Sequence, residues 1–445
     1  MRCFASLSMT HDRFDVIVIG AGAAGLAAAR DLSGAGKKVC VLEGRDRIGG
    51  RILTIHSADL PLPIELGAEF IHGEAETTLA IVESSALLVY QLTDTHWWSA
   101  RGRWRLHNDF WKKMNAIRSR IPAGAHDISF DEFLKRQRKL APRLKQMARG
   151  FAEGFNAAYA DRISAASLRS SDEDEEDPHK QFRIANGYDA LIEWLRAGLD
   201  PERSQLHLGS EVTEVSWSRG AVEVQTSRGQ TFRAKAAVIT IPIGIWKAPA
   251  GIRFDPVLRD KRRAIAKLEV GQVVKIIFRF RKRFWDEPDF VKRRAKTKNW
   301  EEGMPLNFVH AADRFIPTWW TTAPVRTPLL TGWAGGHAAD ALLAEGAEAM
   351  IDRALDSLAS TFAMKRREIE ILFDSSHTHD WQADRFSRGA YSYSGIGGQR
   401  AHDALAKPIA GTLFFAGEAT TAEETGTVAG AVSTGKRAAK QILSG

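Results

Sequence analysis

The feature that most constrains the fold is residues 14–25, which read FDVIVIGAGAAG. An apolar run at 16–19 is followed by three glycines in G-x-G-x-x-G spacing, namely Gly20, Gly22 and Gly25. A helix-like run of small residues comes next, and a second apolar run at 38–42 ends in Glu43. This order of strand, glycine turn, helix, strand and acid is typical of a unit that binds a dinucleotide.

Each residue of this unit has a physical role. Gly20 permits the tight turn, Gly22 lets the backbone approach a pyrophosphate, and Gly25 lets the helix pack on the strand. Glu43 is placed to accept hydrogen bonds from ribose hydroxyls. An ordinary strand–turn–helix unit would not explain an acid at the end of the second strand.

Two further stretches in the first hundred residues carry candidate site residues. Residues 44–51, GRDRIGGR, suggest a loop folded over phosphates, because arginines neutralise charge and glycines allow close approach. A solvated basic turn is the alternative interpretation. Residues 64–73, IELGAEFIHG, predict a short strand that runs into a glycine turn, with His72 at its end.

Composition bounds the class of protein. The 445 residues suffice for two or three domain-sized units, and 44% hydrophobic with 26% charged residues is ordinary for a globular protein. The net charge of +8 is basic, but Lys and Arg are spread along the chain without interleaved aromatics, so no nucleic-acid partner is expected.

The cysteines and the apolar runs bound the compartment. Cys3 and Cys40 give neither a disulfide framework nor metal-ligand spacing, so we expect no metal and place Cys40 in the core. No run resembles a signal peptide or a membrane span, and these features together favour a cytoplasmic protein.

The middle of the chain has a different texture. Tryptophans at 97, 98, 104 and 111 precede basic helical patterns, so 93–168 reads as a helical insertion. The tryptophans could line a pocket, but core packing is favoured. The acidic run 170–177 reads as a solvated loop, and residues 268–280 predict an alternating strand on which Lys275 shares a face with Val273 and Ile277.

The last segment returns to the opening texture. Residues 412–418 predict a strand that ends in Gly417 and Glu418, and residues 426–435 open a helix rich in small residues. Such a helix can pack against a planar ring, and the partial positive charge at its N-terminus would favour an anion such as a reduced flavin.

These residues resemble the flavin-containing amine oxidase family, which includes monoamine, polyamine and L-amino-acid oxidases and the flavin histone demethylases. The resemblance covers almost the whole chain in separated blocks, which read DVIVIGAGAAGLAAARDL, VLEGRDRIGGR, IELGAEFIHG, NGYDALIEWL, AAVITIPIGIW, VGQVVKIIFRF, ADRFSRGAYSY and LFFAGEATTAEETGTVAGAVSTGKRAA.

The resemblance implies an α/β fold with a Rossmann-like FAD-binding domain and a discontinuous α+β substrate-binding domain. The FAD-binding domain would be assembled from residues 9–92, 181–267 and 376–445. The substrate domain would take its helical part from 93–180 and its sheet part from 268–375.

The resemblance also implies a set of cofactor contacts. The adenosine and pyrophosphate would be held by Gly20, Gly22, Gly25, Glu43, Arg45, Gly50 and Arg51, with the backbone of Val212 at the adenine. Gly417 and Glu418 would lie near the ribityl and phosphate groups, Thr427 and Val428 at the pyrimidine edge of the flavin, and Trp381 beside the ring.

Three residues are implied to act on the substrate side. Lys275 matches the lysine that hydrogen-bonds through water to flavin N5, although an ordinary basic strand face is the alternative. His72 resembles a polyamine-oxidase histidine that orients a substrate amine, or it is a turn histidine bonded to backbone. Tyr391 matches one wall of the aromatic pair that faces the flavin.

Two positions depart from the monoamine oxidases. The second wall of the aromatic pair falls on Thr427, so the two-sided cage is absent. Ala390 stands where monoamine oxidases carry the cysteine that tethers the flavin, so FAD should be bound noncovalently.

The sequence therefore predicts an FAD-dependent amine oxidase acting on a primary or secondary amine, with a polyamine-like substrate favoured. A hydride equivalent would pass to flavin N5, the imine would hydrolyse to a carbonyl compound, and molecular oxygen would be reduced to hydrogen peroxide. An L-amino-acid oxidase, a flavin enzyme acting on a C–C bond, and a flavin-binding partner protein without turnover remain alternatives. The oligomeric state stays open.

Overall fold

Two large β-sheets organise the chain in the computed structural model, which describes residues 13–73, 76–93, 95–100, 102–107, 109–124, 126–169, 180–295, 305–311 and 315–445. The acidic run 170–177 and Cys3 lie outside the described residues.

The strands in chain order are β1 (Arg13–Ile19), β2 (Val39–Leu42), β3 (Thr54–Ile55), β4 (Ile64–Glu65), β5 (Ile71–His72), β6 (Val89–Gln91), β7 (His96–Ala100), β8 (Arg103–Leu106), β9 (Gln181–Ile184), β10 (Ser204–His207), β11 (Val212–Ser218), β12 (Ala221–Thr226), β13 (Thr231–Ile239), β14 (Arg253–Asp255), β15 (Leu268–Val270), β16 (Val273–Phe280), β17 (Phe308–His310), β18 (Thr318–Thr321), β19 (Leu329–Gly335), β20 (Phe373–Thr378), β21 (Ser392–Ser394) and β22 (Leu413–Phe415).

The α-helices are α1 (Ala23–Gly34), α2 (Glu76–Glu83), α3 (Phe110–Arg118), α4 (Phe130–Arg136), α5 (Pro142–Phe155), α6 (Tyr188–Ala197), α7 (Ile243–Trp246), α8 (Arg259–Ile265), α9 (Pro288–Arg294), α10 (His337–Ala344), α11 (Ala347–Thr361), α12 (Arg366–Leu372), α13 (Ala401–Ala406) and α14 (Val428–Leu443).

The first sheet contains the glycine motif. Its parallel strands run in the order β10, β2, β1, β13, and β22 pairs in parallel with the C-terminal half of β13. The antiparallel strand β12 pairs with the N-terminal half of β13, and β11 and β14 follow it. Strand β2 is buried and apolar throughout, and β1 and β13 are buried and apolar over residues 16–19 and 236–239, because helices or further strands cover both faces of a parallel sheet there. The predicted strand, glycine turn, helix and second strand are all confirmed.

The second sheet has the strand order β20, β16, β19, β18, β17, β7, β8. Strand β16 lies between β19 and β20 and was predicted to alternate between a buried and an exposed face. In the structure every residue of β16 is buried except Arg279, which is partly exposed. Lys275 is therefore enclosed rather than placed on a solvated strand face, with a relative exposure of 3%.

The segment 93–180 was predicted to be helical, and this is wrong at its beginning. Strands β7 and β8 form a hairpin that extends the second sheet. Trp97 of β7 and Trp104 of β8 are both buried in the core beneath this sheet. The Trp104 indole donates to the Thr361 carbonyl oxygen at 2.9 Å. Helices α3, α4 and α5 follow and form a core of their own.

Two smaller differences concern strand boundaries. The single strand predicted in residues 64–73 is two short strands, β4 and β5, which pair with different partners. Strand β20 pairs with β16 as far as Thr378, beyond the domain boundary predicted at 375. In the part of the chain that the structure describes, no helix is long and apolar enough to cross a membrane.

Gly25 is required by close packing in the first glycine turn. A Cβ atom at Gly25 would lie 1.9 Å from the carbonyl oxygen of Gly20, whereas a Cβ at Gly34, at the end of the same helix, would meet no atom within 4 Å. Backbone atoms cannot yield to such an overlap as a flexible side chain could.

We expect Gly25→Ala to lose flavin binding and most soluble expression. Gly34→Ala, the matched control on the same helix, should keep both and gain about 0.5 kcal/mol in the free energy of unfolding. Flavin absorbance and urea unfolding of both variants measure this. A yellow, stable Gly25→Ala protein would contradict the packing argument.

Candidate active site

One cavity of about 1890 Å³ connects the two sheets. It is lined at one end by the C-terminal end of β1 and the glycine turn, and at the other by Val273, Lys275 and Trp333 of the second sheet. Single-ligand pockets usually have volumes of roughly 300–1,000 Å³. This cavity therefore has room for a large cofactor together with a substrate.

The structure brings nearly all of the predicted site residues to this cavity. The lining residues among them are Gly20, Gly22, Glu43, Arg45, Gly50, Arg51, His72, Val212, Lys275, Trp381, Tyr391, Gly417, Glu418, Thr427 and Val428. Gly25 does not line the cavity, because its position serves the packing of α1 on the preceding turn.

The glycine turn leaves backbone donors for a ligand. Gly22 is the N-cap of α1 and supplies no side-chain cap, so N–H groups of the first turn have no intrahelical partner. A Cβ at Gly22 would meet no protein atom within 4 Å, and this empty space belongs to the cavity. A helix N-terminus in this condition is suited to a phosphate.

Glu43 ties the glycine turn to the loop after β2. Its carboxylate accepts hydrogen bonds from the backbone N–H groups of Ala21 at 2.7 Å and Arg45 at 2.9 Å. The carboxylate oxygens have about four acceptor directions in all, so two remain for the hydroxyls of a ribose.

The two predicted phosphate-binding arginines both have protein partners. Arg45 donates to Asp384 at 2.7 Å and to Ser387 at 2.8 Å, and Arg51 donates to Glu418 at 2.9 Å and to the carbonyl oxygen of Ala390 at 2.7 Å. Sequence analysis missed Asp384, although it lies in the quoted block ADRFSRGAYSY. Burial acts to raise the pKa of Asp384, but hydrogen bonds from His379 and Arg45 lower it below its usual value.

Glu418 is the buried anion of this region. Besides Arg51 it accepts hydrogen bonds from the Ser392 hydroxyl at 2.6 Å and from the backbone N–H of Gly426 at 3.1 Å. Burial opposes its ionisation, but the charge of Arg51 and the Ser392 hydroxyl lower its pKa. The ionised carboxylate thus fixes the loop that leads into α14.

Helix α14 presents its N-terminus to the cavity. The hydroxyl of Thr427 accepts from the N–H of Gly430 at 2.9 Å, so this side chain caps the helix. It stands at the position where monoamine oxidases were expected to carry the second aromatic side chain. The donors of α1 and α14, the acid at the end of β2 and the size of the cavity all fit an extended dinucleotide such as FAD.

The other end of the cavity contains a buried charge cluster. The Nζ atom of Lys275 lies 2.7 Å from Oε2 of Glu69 and donates to the carbonyl oxygen of Gly67 at 3.0 Å. Oε1 of Glu69 lies 2.5 Å from a nitrogen of Arg183 and accepts from the Trp320 indole at 3.0 Å. Glu69 and Arg183 were missed, although Glu69 stands in the quoted block IELGAEFIHG.

His72 lies in the same part of the cavity. Its ring packs edge-on to Phe155 at 5.2 Å and at a tilt to Phe70 at 5.9 Å. Within the described part of the chain, its ring nitrogens have no hydrogen-bond partner. Burial lowers the pKa of His72 to about 4, so the imidazole is neutral at neutral pH.

Aromatic side chains complete the wall. The Tyr391 hydroxyl donates to the carbonyl oxygen of Phe155 at 2.9 Å, and the Trp381 indole donates to that of Leu66 at 3.0 Å. Of the four tryptophans predicted to favour the core, Trp97 and Trp104 are buried there, whereas Trp98 and Trp111 line the cavity.

His72 should make the flavin-free protein less stable in acid. The pKa of His72 falls from 6.5 to about 4 on folding. The contribution of the neutral imidazole to the free energy of unfolding is therefore complete above pH 6.5 and is lost as pH falls towards 4. At about 1.4 kcal/mol per pKa unit, His72→Asn should remove about 3 kcal/mol of acid destabilisation between these limits. Urea unfolding at several pH values measures the difference, and parallel stability curves for the two proteins would contradict it.

Curated relatives extend over nearly the whole chain. Polyamine oxidase 3 of Oryza sativa subsp. japonica is 32% identical over 460 residues, covering 96% of this chain and 88% of that protein. Polyamine oxidase 2 of Arabidopsis thaliana is also 32% identical, covering 98% and 90%. Lysine-specific histone demethylase 1 homolog 2 of Arabidopsis thaliana is 29% identical, covering 96% of this chain and 58% of that protein.

Solved structures share the fold. A double mutant of putrescine oxidase superposes with a TM-score of 0.79 at 20% identity, covering 97% of this chain and 99% of that one. Cyclohexylamine oxidase from Brevibacterium oxydans IH-35A superposes with a TM-score of 0.80, also at 20% identity, with the same coverage of both chains. The two-domain amine oxidase fold predicted from the sequence is thereby confirmed.

The sequence profile of a family described as flavin containing amine oxidoreductase matches residues 23–443. This range includes most of the cavity lining, from the first turn of α1 to α14. The chain belongs to the flavin-containing amine oxidoreductase family and is an enzyme of that family.

Proposed function

We propose that this protein binds FAD noncovalently and oxidises the C–N bond of a primary or secondary amine, with polyamine-like substrates favoured. The observation that carries the proposal is the single cavity, which joins a glycine turn suited to a dinucleotide to a charged and aromatic chamber around Lys275. The similarity to two plant polyamine oxidases supports the choice of substrate class.

Bound FAD would supply the redox chemistry, taking a hydride equivalent from the carbon beside the amine and passing the electrons to oxygen to give hydrogen peroxide. The residues of the chain position the reactants. Neutral His72 can accept a hydrogen bond from an amine without repelling a cation. The rings of Phe155, Trp320 and Trp333 restrict water and offer π faces to an alkylammonium group.

Lys275 is the group proposed to act next to the flavin. An ammonium has three N–H donors, of which one goes to the carbonyl oxygen of Gly67, while Glu69 lies beside it as an ion-pair partner at 2.7 Å. Donor capacity remains for a water molecule in the cavity, since Lys275 lines it. This arrangement supports the predicted water-mediated contact with the flavin.

The side chains near the proposed flavin support noncovalent binding. Position 390 is an alanine in the cavity wall. The described residues include one cysteine, Cys40, which is buried in β2. Burial raises the pKa of its thiol to about 12. Neither side chain can form a thioether to the cofactor.

A second candidate substrate class is an amine that carries a carboxylate, including an L-amino acid. Arg118 lines the cavity and donates to the carbonyl oxygen of Leu168 at 2.7 Å, and within the described residues it has no carboxylate partner. A guanidinium in this state can hold a substrate carboxylate.

We expect one class of amines to bleach the bound flavin under anaerobic conditions. The rate of bleaching should rise from about pH 6 to 9, because the fraction of the amine that is unprotonated increases over this range. The panel should contain polyamines, monoamines and L-amino acids, with absorbance as the readout. Reduction by amino acids alone would select the carboxylate-bearing class. Failure of every amine with an intact yellow protein would favour a C–C oxidase or a binding-only protein and overturn the proposal.

Denaturation should separate the flavin from the chain. After acid precipitation we expect the yellow colour in the supernatant, because among the residues that the structure describes no thiol lines the cavity. Absorbance of the supernatant and pellet gives the partition, and a yellow pellet would contradict noncovalent binding.

A further inference from the structure

We propose that Glu69 is the positioning residue for Lys275, the anion in a buried cluster of Lys275, Glu69 and Arg183 that fixes the ammonium at the flavin. The proposal rests on the proposed function, because it takes Lys275 to face the bound flavin. It assigns a role to two residues that the family resemblance did not single out.

The cluster is assembled from separate parts of the fold. Glu69 lies just before β5, Arg183 lies in β9 and Lys275 lies in β16. Their side chains are 9%, 6% and 3% exposed, so all three charges are removed from bulk water. Isolated charges at such exposure are costly, which makes each dependent on its partners.

The two oxygens of Glu69 have different partners. Oε1 is held by Arg183 at 2.5 Å and by the Trp320 indole at 3.0 Å, whereas Oε2 lies 2.7 Å from the Nζ atom of Lys275. Arg183 is itself fixed by two hydrogen bonds to the Thr321 carbonyl oxygen at 3.2 Å. Arg183 and Trp320 therefore orient the carboxylate, and its second oxygen is directed to the lysine.

The position of the cluster explains why a merely structural role is insufficient. Glu69 and Lys275 line the cavity, but Arg183 does not. Arg183 balances the carboxylate from behind, and the sum of the three charges leaves one positive charge at the cavity face. If stability alone were needed, apolar residues of similar size would serve as well as a buried ionic cluster.

Other groups around Lys275 are accounted for. Glu65 of β4 is buried near it, but its carboxylate is engaged by the Thr54 hydroxyl and the Tyr188 N–H, both at 2.7 Å. Across the sheet, Lys275 lies opposite the uncharged Trp333 on β19. On β20, His377 lies opposite Ile277 on the same face as Lys275, and burial lowers the pKa of this imidazole, whereas Thr378 lies opposite Ile276 and donates to the backbone carbonyl oxygen of Lys275. Glu69 is thus the anion in direct contact with the ammonium among the described residues.

The consequence is a prediction about charge. Without the carboxylate, Lys275 and Arg183 would be two buried cations with no anion between them. With the carboxylate present, the ammonium is held between Glu69 and the carbonyl oxygen of Gly67. Glu69 thereby determines the orientation of the group next to the flavin and the net charge beside it.

The test is a double-mutant cycle of Glu69→Gln, Lys275→Met and the two combined, each compared with the natural protein loaded with FAD. Glu65→Gln is the matched control, since it removes a nearby buried carboxylate that does not touch Lys275. Glu69→Gln combined with Arg183→Met removes opposite charges together and keeps the net charge of the cluster, so it replaces Glu69→Gln in the rate measurement if that variant fails to fold. The readouts are the rate of anaerobic flavin reduction at pH 8 and the midpoint potential of the flavin at pH 7.

We expect Glu69→Gln to lose about tenfold in reduction rate, because Lys275 is no longer held in place by its anion, whereas Glu65→Gln keeps the natural rate. The combined Glu69→Gln and Lys275→Met protein should match Lys275→Met alone. The midpoint potential of Glu69→Gln should be higher than that of the natural protein at pH 7, because the added net positive charge favours the reduced flavin.

Additive effects of the two substitutions, or an unchanged potential in Glu69→Gln, would overturn the assignment. The potential is measured with a chemical reductant and needs no amine. If no amine reduces the natural protein, the proposed function fails while the coupling of Glu69 to Lys275 is still measured. If amines do reduce it but the coupling is missing, the positioning role fails alone.

Discussion

Buried ion pairs between distant segments hold the cavity together. Arg51, in the loop after β2, pairs with Glu418 near the C-terminus, and Arg45 from the same loop pairs with Asp384. Each pair joins the N-terminal loop to the last quarter of the chain at the proposed flavin. Such pairs are costly to break, because the partner left behind is an uncompensated buried charge. The cofactor end of the cavity therefore depends on this tethering as well as on the glycine motif.

The substrate end is built on a different balance. Aromatic rings supply much of its wall, and the cluster of Lys275, Glu69 and Arg183 adds charges that are largely buried. In such surroundings electrostatic interactions are stronger than in water, so the placement of a few charges governs the chemistry. Burial also acts on His72, which has no charged partner among the described residues, and there it lowers the pKa and keeps the imidazole neutral.

Sequence reasoning succeeded where the constraint is local. The glycine spacing is dictated by backbone contacts within a few residues, such as that of Gly25 with Gly20, and the predicted unit is confirmed. The family resemblance brought the correct fold and a set of residues that the structure gathers in one cavity. Their individual roles towards FAD and the amine stay predictions.

The failures were tertiary in origin. Strand β16 was predicted to be half-exposed because its covering elements lie far away in the chain, and the hairpin of β7 and β8 was missed because its tryptophans pack into another segment. Glu69 and Asp384 lie in the motifs IELGAEFIHG and ADRFSRGAYSY, but the sequence did not predict a role for either residue. Their importance depends on Lys275 and Arg45, which periodicity and spacing within one segment cannot connect to them.

A crystal structure of the FAD-loaded protein tests the central claim most directly, namely that one cavity holds the cofactor at its glycine end and presents its ring to Lys275. We predict the pyrophosphate at the N-terminus of α1, the ribose at Glu43, and the flavin ring between Trp381 and Tyr391 with N5 turned towards Lys275. A flavin ring bound away from Lys275, or a pyrophosphate held elsewhere than at the glycine turn, would contradict the account.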